Sequence, residues 1–221
     1  MYTANYNVQA NINYTTGTCC SEMDLWEANS RASKYVAHVC TKPGLFPCKG
    51  ADCDLDGVCA KTGCSFNTYR QGHPTFYARG GTGVDTTRPF TVTTQFLAGT
   101  DGAMTEIRRL WAQGGRVIAN PPAVSGKGDS VTESFCEANN FTAYTSRGGM
   151  EAMGRALGRG MVLVAAIWNQ PDGFMQSLDG GVHGPCNATE GDPKNIQATA
   201  PDTQVTFSNI RWGEIGSTLG V

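Results

Sequence analysis

The sequence is short of charge, of basic clusters and of long apolar runs, and each shortage closes off a class of function. Charged residues make up 16% of its 221 residues and the formal net charge is −2. No Lys/Arg cluster stands out, so the electrostatic footprint of a nucleic-acid binder is lacking. No stretch reaches the ~18 consecutive apolar residues of a membrane span. The start, Met1-Tyr2-Thr3-Ala4-Asn5, is polar and has no hydrophobic signal core, so either a signal has been removed or sequence precedes Met1. There is no internal repeat and no Pro/Ser-rich linker, which leaves one domain or a piece of one. The three histidines form no pair at ligand spacing beside Cys48-x4-Cys53 or Cys59-x4-Cys64, which disfavours a zinc site. No metal or other cofactor is expected.

What is plentiful is glycine and cysteine. The 28 glycines imply many turns and an all-β bias. Nine cysteines argue for disulfides and an oxidising compartment. Glycosylation sequons at Asn13, Asn140 and Asn187 fit secretion. The cysteine count is odd, and the adjacent Cys19 and Cys20 are poorly placed to bridge each other, because a disulfide needs facing Cβ atoms. At least one cysteine is therefore free or bonded outside the chain.

Strand patterns dominate. Phe90 to Leu97 alternates β-branched and aromatic residues. Met104 to Gln113 and Arg116 to Ala119 flank Gly114-Gly115, a hairpin signal. Met161 to Trp168 is a continuous apolar run and reads as a buried strand, and Val205 to Trp212 alternates as a half-buried one. Met150 to Leu157, closed by Gly158, is the best helix. Cys40 to Cys64, rich in Cys, Gly, Pro and Asp, reads as a disulfide-pinned loop. Many strands with one short helix predict a β-sandwich.

The sharpest chemistry lies in Cys19-Cys20-Ser21-Glu22-Met23-Asp24-Leu25-Trp26-Glu27-Ala28-Asn29. On a strand, Glu22 and Asp24 point to one face, where two carboxylates repel, share a proton and split their pKa values. An ideal strand sends Glu27 to the other face, with its Cα ~16 Å from that of Glu22. Two carboxylates working as nucleophile and acid/base on a sugar need to stand only ~5–5.5 Å apart. That chemistry requires a bulge near Leu25-Trp26. Taken by itself, the triplet is also compatible with a solvated acidic strand edge or a metal site.

The surrounding motifs resemble glycoside hydrolase family 7, the fungal cellulases built on a concanavalin-like β-jelly-roll. The resemblance includes the Cys19-Cys20 pair and Trp26, Ala28 and Asn29. It runs on through Phe66-Asn67-x-Tyr69-Arg70, Arg88-Pro89-Phe90-Thr91-Val92-x-Thr94-Gln95-Phe96 and Gly160-Met161-Val162-Leu163-Val164, to Val205 through Thr218. It implies an all-β, concanavalin-like jelly-roll sandwich, of which residues 1–221 form about the C-terminal half of a catalytic domain, with no linker or carbohydrate-binding module. It implies Glu22 as nucleophile, Asp24 as the residue that orients it, and Glu27 as general acid/base, its pKa raised by the nearby charges and by burial against Trp26. It places His38 beside the acid/base on the leaving-group side, Trp168 as a sugar platform and Arg70 toward the product end, each also compatible with a purely structural role. It implies disulfides Cys40–Cys59, Cys48–Cys53 and Cys64–Cys136. Cys19, Cys20 and Cys186 then match cysteines whose partners lie upstream, in an N-terminal half.

The implied activity is endo-acting, retaining hydrolysis of β-1,4-glucosidic bonds by a secreted, extracellular and monomeric enzyme. Its partner is a β-glucan polysaccharide, with no nucleic acid and no membrane. Short loops between Cys53 and Cys59 and between Asp179 and Cys186, with Ser177 and His183 where cellobiohydrolases of the family carry Trp and Arg, favour an open endo-type cleft over a cellobiohydrolase tunnel. A non-catalytic carbohydrate-binding jelly roll is the alternative from another class, disfavoured by the three acids. A third reading is an inactive fragment, and the 221 residues alone are expected to show weak or no activity.

Overall fold

The computed structural model describes residues 17–55 and 57–219. The sequon at Asn13 and the polar start lie outside the described residues. Ten strands come first: β1 (Gly17–Cys19), β2 (Glu22–Ala28), β3 (Ser33–His38), β4 (Phe46–Cys48), β5 (Cys64–Asn67), β6 (Tyr77–Ala78), β7 (Val84–Asp85), β8 (Thr91–Ala98), β9 (Met104–Gln113) and β10 (Arg116–Ala119). Five short helices follow: α1 (Glu133–Ala138), α2 (Thr142–Thr145), α3 (Gly149–Gly158), α4 (Gln176–Asp179) and α5 (Pro193–Thr199).

Two antiparallel three-stranded sheets, ordered β2-β3-β5 and β10-β9-β8, carry the molecule, with the small pairs β1-β4 and β6-β7 at their margins. The β9–β10 hairpin turns where the sequence predicts it. Gly114 and Gly115 take φ of 59° and 73°, and Gln113 pairs with Arg116. Such a two-residue turn needs positive φ at both centres, which glycine supplies without steric cost. The strand expected over Phe90–Leu97 is observed as Thr91–Ala98.

The two sheets face each other through β3, β5 and β9. Tyr35 and Ala37 on β3, Phe66 on β5 and Ile107 on β9 share one core with Phe135 of α1 and Met153 of α3. The rings of Tyr35, Phe66 and Phe135 stack at centroid distances of 5.9 and 5.1 Å. Each fully buried side chain of this size contributes about 1.5–3 kcal/mol of apolar transfer free energy. A second cluster gathers Phe76, Tyr77, Val84 and Trp111, so β9 feeds both cores. All three disulfides implied by the resemblance are formed: Cys40–Cys59, Cys48–Cys53 and Cys64–Cys136. Among the described residues Cys19 and Cys186 form no disulfide.

Two expectations are corrected. Residues 161–168 and 205–212 form no strand, and Asn209 takes a positive φ of 54°. Their apolar side chains stand in solvent, with Val162 and Trp212 each 89% exposed. A strand is held by a neighbour's N–H and C=O groups, and among the described residues no strand pairs with either stretch. Alternation and apolarity report compatibility with a sheet, not the presence of a partner. The helix expected over Met150–Leu157 is α3, where Gly160 takes φ of 92° just past the end. The other four helices had no long apolar period to reveal them. Two of them carry local start signals: Thr132 accepts a hydrogen bond from the Phe135 N–H at α1, and Asp192 accepts from the Lys194 N–H ahead of Pro193 at α5.

Candidate active site

The β2–β3 hairpin builds the site. Its loop is closed by Asn29, whose side-chain Oδ1 accepts from the Arg31 and Ala32 N–H groups at 2.8 and 3.0 Å. Ala28 then pairs with Ser33 and Glu27 with Lys34. Further along, Asp24 pairs with Val36 and Glu22 with His38, so β2 spends one more residue than β3 between these pairs. That extra residue is the bulge the chemistry requires, at Leu25-Trp26. Lys34, Val36 and His38 are alternate residues on one face of β3. The bulge therefore returns Glu27 to the face that carries Glu22 and Asp24. Tyr35 and Ala37 point the other way, into the core.

The bulge is held from behind by Arg109. Its guanidinium donates to the Leu25 carbonyl and lies over the rings of Tyr35 and Trp111, at 4.7 and 5.4 Å. Burial brings its pKa down to about 10, so it stays charged at neutral pH. Trp26 meets Phe90 edge to face at 6.0 Å and is 44% exposed.

On the acid face, side-chain oxygens of Glu22 and Asp24 and a ring nitrogen of His38 all lie within 4.8 Å of one another. His38 Nδ1 donates to the Ala60 carbonyl at 2.8 Å, which turns Nε2 toward Asp24 Oδ2 at 3.1 Å. Burial lowers the His38 pKa, but the hydrogen bond and charge of Asp24 outweigh it and the net shift is upward. Glu22 moves from its ordinary 4.5 to about 8, first through burial and then through the charge of Asp24. Glu27 is also raised by burial, helped by Asp24 and opposed by Lys34. The Glu27 shift has the expected direction. The larger shift falls on Glu22, so the resting site holds a proton on its Glu22–Asp24 side. Proton sharing between two carboxylates on one strand face is what their spacing predicts.

Of the other residues singled out in the sequence, His38 joins the acids directly. Arg70 stands beyond β5, its amide N–H bonded to Asn67 Oδ1 at 3.1 Å and its guanidinium over the Phe141 ring at 5.1 Å. Asn67 pairs with Lys34 across β3–β5 and donates to the His183 carbonyl at 2.9 Å. This fastens α4, which carries Ser177, and the loop after it, which carries His183, to the edge of the acid face, and Asn29 Nδ2 holds Asp179 from the other side at 2.6 Å. His183 is depressed by burial and by the charges of Arg70 and Lys34. Trp168 lies in the exposed 161–168 stretch and is itself 49% exposed.

Sequence reasoning missed Lys34. Its Nζ lies 3.1 Å from Glu27 Oε2 and donates to the Ser177 carbonyl at 3.4 Å. The signal was available: a four-residue hairpin loop at Asn29–Ala32 fixes the register that sets Lys34 opposite Glu27. The Ala60 carbonyl that orients His38 comes from the disulfide-pinned loop and left no mark in the sequence pattern.

A disulfide-pinned all-β scaffold with paired carboxylates on one face of a bulged strand is the architecture of a glycoside hydrolase. The chain belongs to glycosyl hydrolase family 7, whose sequence profile matches residues 2–219. It is 52% identical over 217 residues to a probable endo-β-1,4-glucanase, celB, of Aspergillus terreus, covering 96% of this chain and 51% of the relative. It is also 52% identical over 229 residues to the endo-β-1,4-glucanase celB of Emericella nidulans, covering 96% and 53%. The native structure of the Humicola insolens endocellulase EGI superimposes with a TM-score of 0.88 at 45% identity, over 92% of this chain and 52% of that one. The chain thus spans about half the length of the relatives it matches. Its fold is that of the family's β-jelly-roll sandwich, as expected.

Proposed function

We propose that this chain carries the acid–base machinery of an endo-acting, retaining β-1,4-glucan hydrolase. The observation that carries the reading is the bulge between Asp24 and Glu27, which returns the third carboxylate to the face of the first two. A straight strand would have parted the acids and left no double displacement to propose. The names of the relatives, endo-β-1,4-glucanase and endocellulase, support the substrate and the endo mode.

In this reading Glu22 first gives up its proton to solvent, then attacks the anomeric carbon as a carboxylate and forms a glycosyl-enzyme, while Glu27 protonates the leaving oxygen and later takes a proton from water. Asp24 sits between Glu22 and His38. It orients Glu22, and its bond to the His38 ring gives it a route to relieve the charge built up when Glu22 ionises. Arg70 and Trp168 are assigned to sugar contacts, toward the product end and as a stacking platform. The three disulfides and the exposed sequons at Asn140 and Asn187 support secretion of a glycosylated extracellular enzyme. In the same reading the 221 residues form a partial catalytic domain with weak or no activity alone. The exposed apolar stretches at 161–168 and 205–212 support this.

The test is hydrolysis of carboxymethylcellulose by the chain and by Glu22→Gln, with the product anomer read by NMR. Residual turnover lost in the variant, with retained configuration, supports the assignment. Equal turnover in both proteins sinks the nucleophile, and inversion rejects the double displacement.

A further inference from the structure

Lys34 stands one strand away from Glu27, directly opposite it in the β2–β3 register. The two side chains are only 16% and 19% exposed, and their charged atoms are 3.1 Å apart. The ammonium also donates to the Ser177 carbonyl of α4, which Asn29 holds through Asp179 while Asn67 holds the loop after it at His183. A lysine on a flexible stem is usually a weak surface partner. Here both ends of the pair are largely out of water and the nitrogen has a second acceptor. We propose that Lys34 is a positioning residue for Glu27: seated between the Ser177 carbonyl and the Glu27 carboxylate, its ammonium fixes the orientation of that carboxyl and governs how readily it gives up and regains its proton. The inference rests on the reading of Glu27 as acid/base.

The charges facing Glu27 are Lys34 and His38 from β3 and Asp24 from its own strand. Burial and Asp24 favour the protonated acid, while Lys34 favours the carboxylate. A general acid must be protonated to assist the leaving group and then ionise to activate water. Lys34 therefore trims the alkaline limit of the first step and favours the second. It also ties the acid/base to α4, so movement of that helix is felt at the proton donor.

The experiment compares wild type, Lys34→Met and Lys34→Arg. Glu27 is titrated directly by 13C NMR of carboxyl-labelled glutamate, its signal assigned by loss in Glu27→Gln. In parallel, the pH profile of kcat/KM is recorded on a soluble glucan. Lys34→Met keeps the aliphatic stem and removes the charge. Its Glu27 midpoint should move upward and its alkaline limb with it, raising rates on that side about tenfold, the low end of the effect of an adjacent opposite charge. Lys34→Arg should restore the wild-type limb. A Glu27 titration and pH limb unchanged in Lys34→Met overturn the proposal. If Lys34→Met does not fold, the wild-type Lys34 ammonium resonance decides: a slowly exchanging signal that shifts as Glu27 titrates supports the pair, and a fast-exchanging, pH-insensitive one refutes it. If no protein hydrolyses glucan at any pH, the functional reading falls, while the NMR titration still tests the pairing.

Discussion

Replacing Glu22 by Gln should alter the pH dependence of stability as well as turnover, and in the opposite sense. Glu22 titrates near 8 in the folded chain against an ordinary 4.5, because burial and the neighbouring Asp24 charge both oppose its ionisation. A carboxyl with a raised folded midpoint binds its proton more tightly folded than unfolded. Its contribution to stability is complete below 4.5 and is lost as the pH rises to about 8. That displacement corresponds to about 5 kcal/mol. Glu22 is partly exposed, and solvent screening reduces the expected loss to about 2–3 kcal/mol. Against a typical domain stability of about 5–15 kcal/mol this is large. Gln keeps the size and a hydrogen-bonding amide but cannot ionise. The assay is urea unfolding followed by tryptophan fluorescence, from pH 4.5 to 9, on both proteins. The Glu22 charge also raises His38, so the difference curve reports Glu22 together with its effect on His38. Wild type should lose about 2–3 kcal/mol relative to Glu22→Gln across that window, while only the wild type retains any turnover. Parallel stability curves would refute the burial and repulsion argument, whatever happens to activity.

Three further outcomes are expected. Removing the Cys64–Cys136 bridge with paired serines opens a link across 72 residues of sequence and should cost about 4 kcal/mol by the chain-entropy estimate, read as a lower urea midpoint. Gly63→Ala should displace His38, because Gly63 has φ of 58° and a methyl there would meet His38 Nδ1 and the Ala37 carbonyl at 2.7 Å. Its signature is a shifted His38 titration by NMR together with a stability loss of about 1 kcal/mol or more, and a wild-type His38 titration would contradict it. Deleting Trp26 removes the extra residue and leaves Glu27 two positions after Asp24, still opposite Lys34 on the acid face of a regular ladder, so hydrolysis should stay above the level of Glu27→Gln. Activity no higher than that level would show that strand register alone does not set the acid's position.

The sequence reveals most where the information is local. The Gly114-Gly115 turn, the helix ending near Gly160 and the shared face of Glu22 and Asp24 each follow from a few neighbouring residues and are found in place. The bulge follows from chemistry rather than propensity, since nothing in Leu25-Trp26 enforces it; Arg109, remote in sequence, grips the Leu25 carbonyl. The disulfide partners came from the resemblance and not from spacing. The stretches at 161–168 and 205–212 show the converse: a strand's apolar pattern is local, but its ladder is not. Lys34 was legible in principle, because the loop at Asn29–Ala32 fixes its register, yet a lysine in a hairpin reads by default as a solvated surface charge. Trp168 came from the resemblance as a sugar platform, and among the described residues no strand pairs with the stretch that contains it.

The extra residue in β2 also bears on how the molecule reaches its final form. Glu22, Asp24, Glu27, Lys34 and His38 all belong to one hairpin, so the groups of the acid face meet through contacts of short sequence separation. Hairpins of this kind close on a timescale of about 1–10 μs, ahead of the slow pairing of distant strands and of disulfide formation. Their mutual repulsion is therefore met at the start of folding, before the second sheet is docked. The Lys34 and His38 side of the hairpin acts as an internal counterion supply for the nascent acid strand.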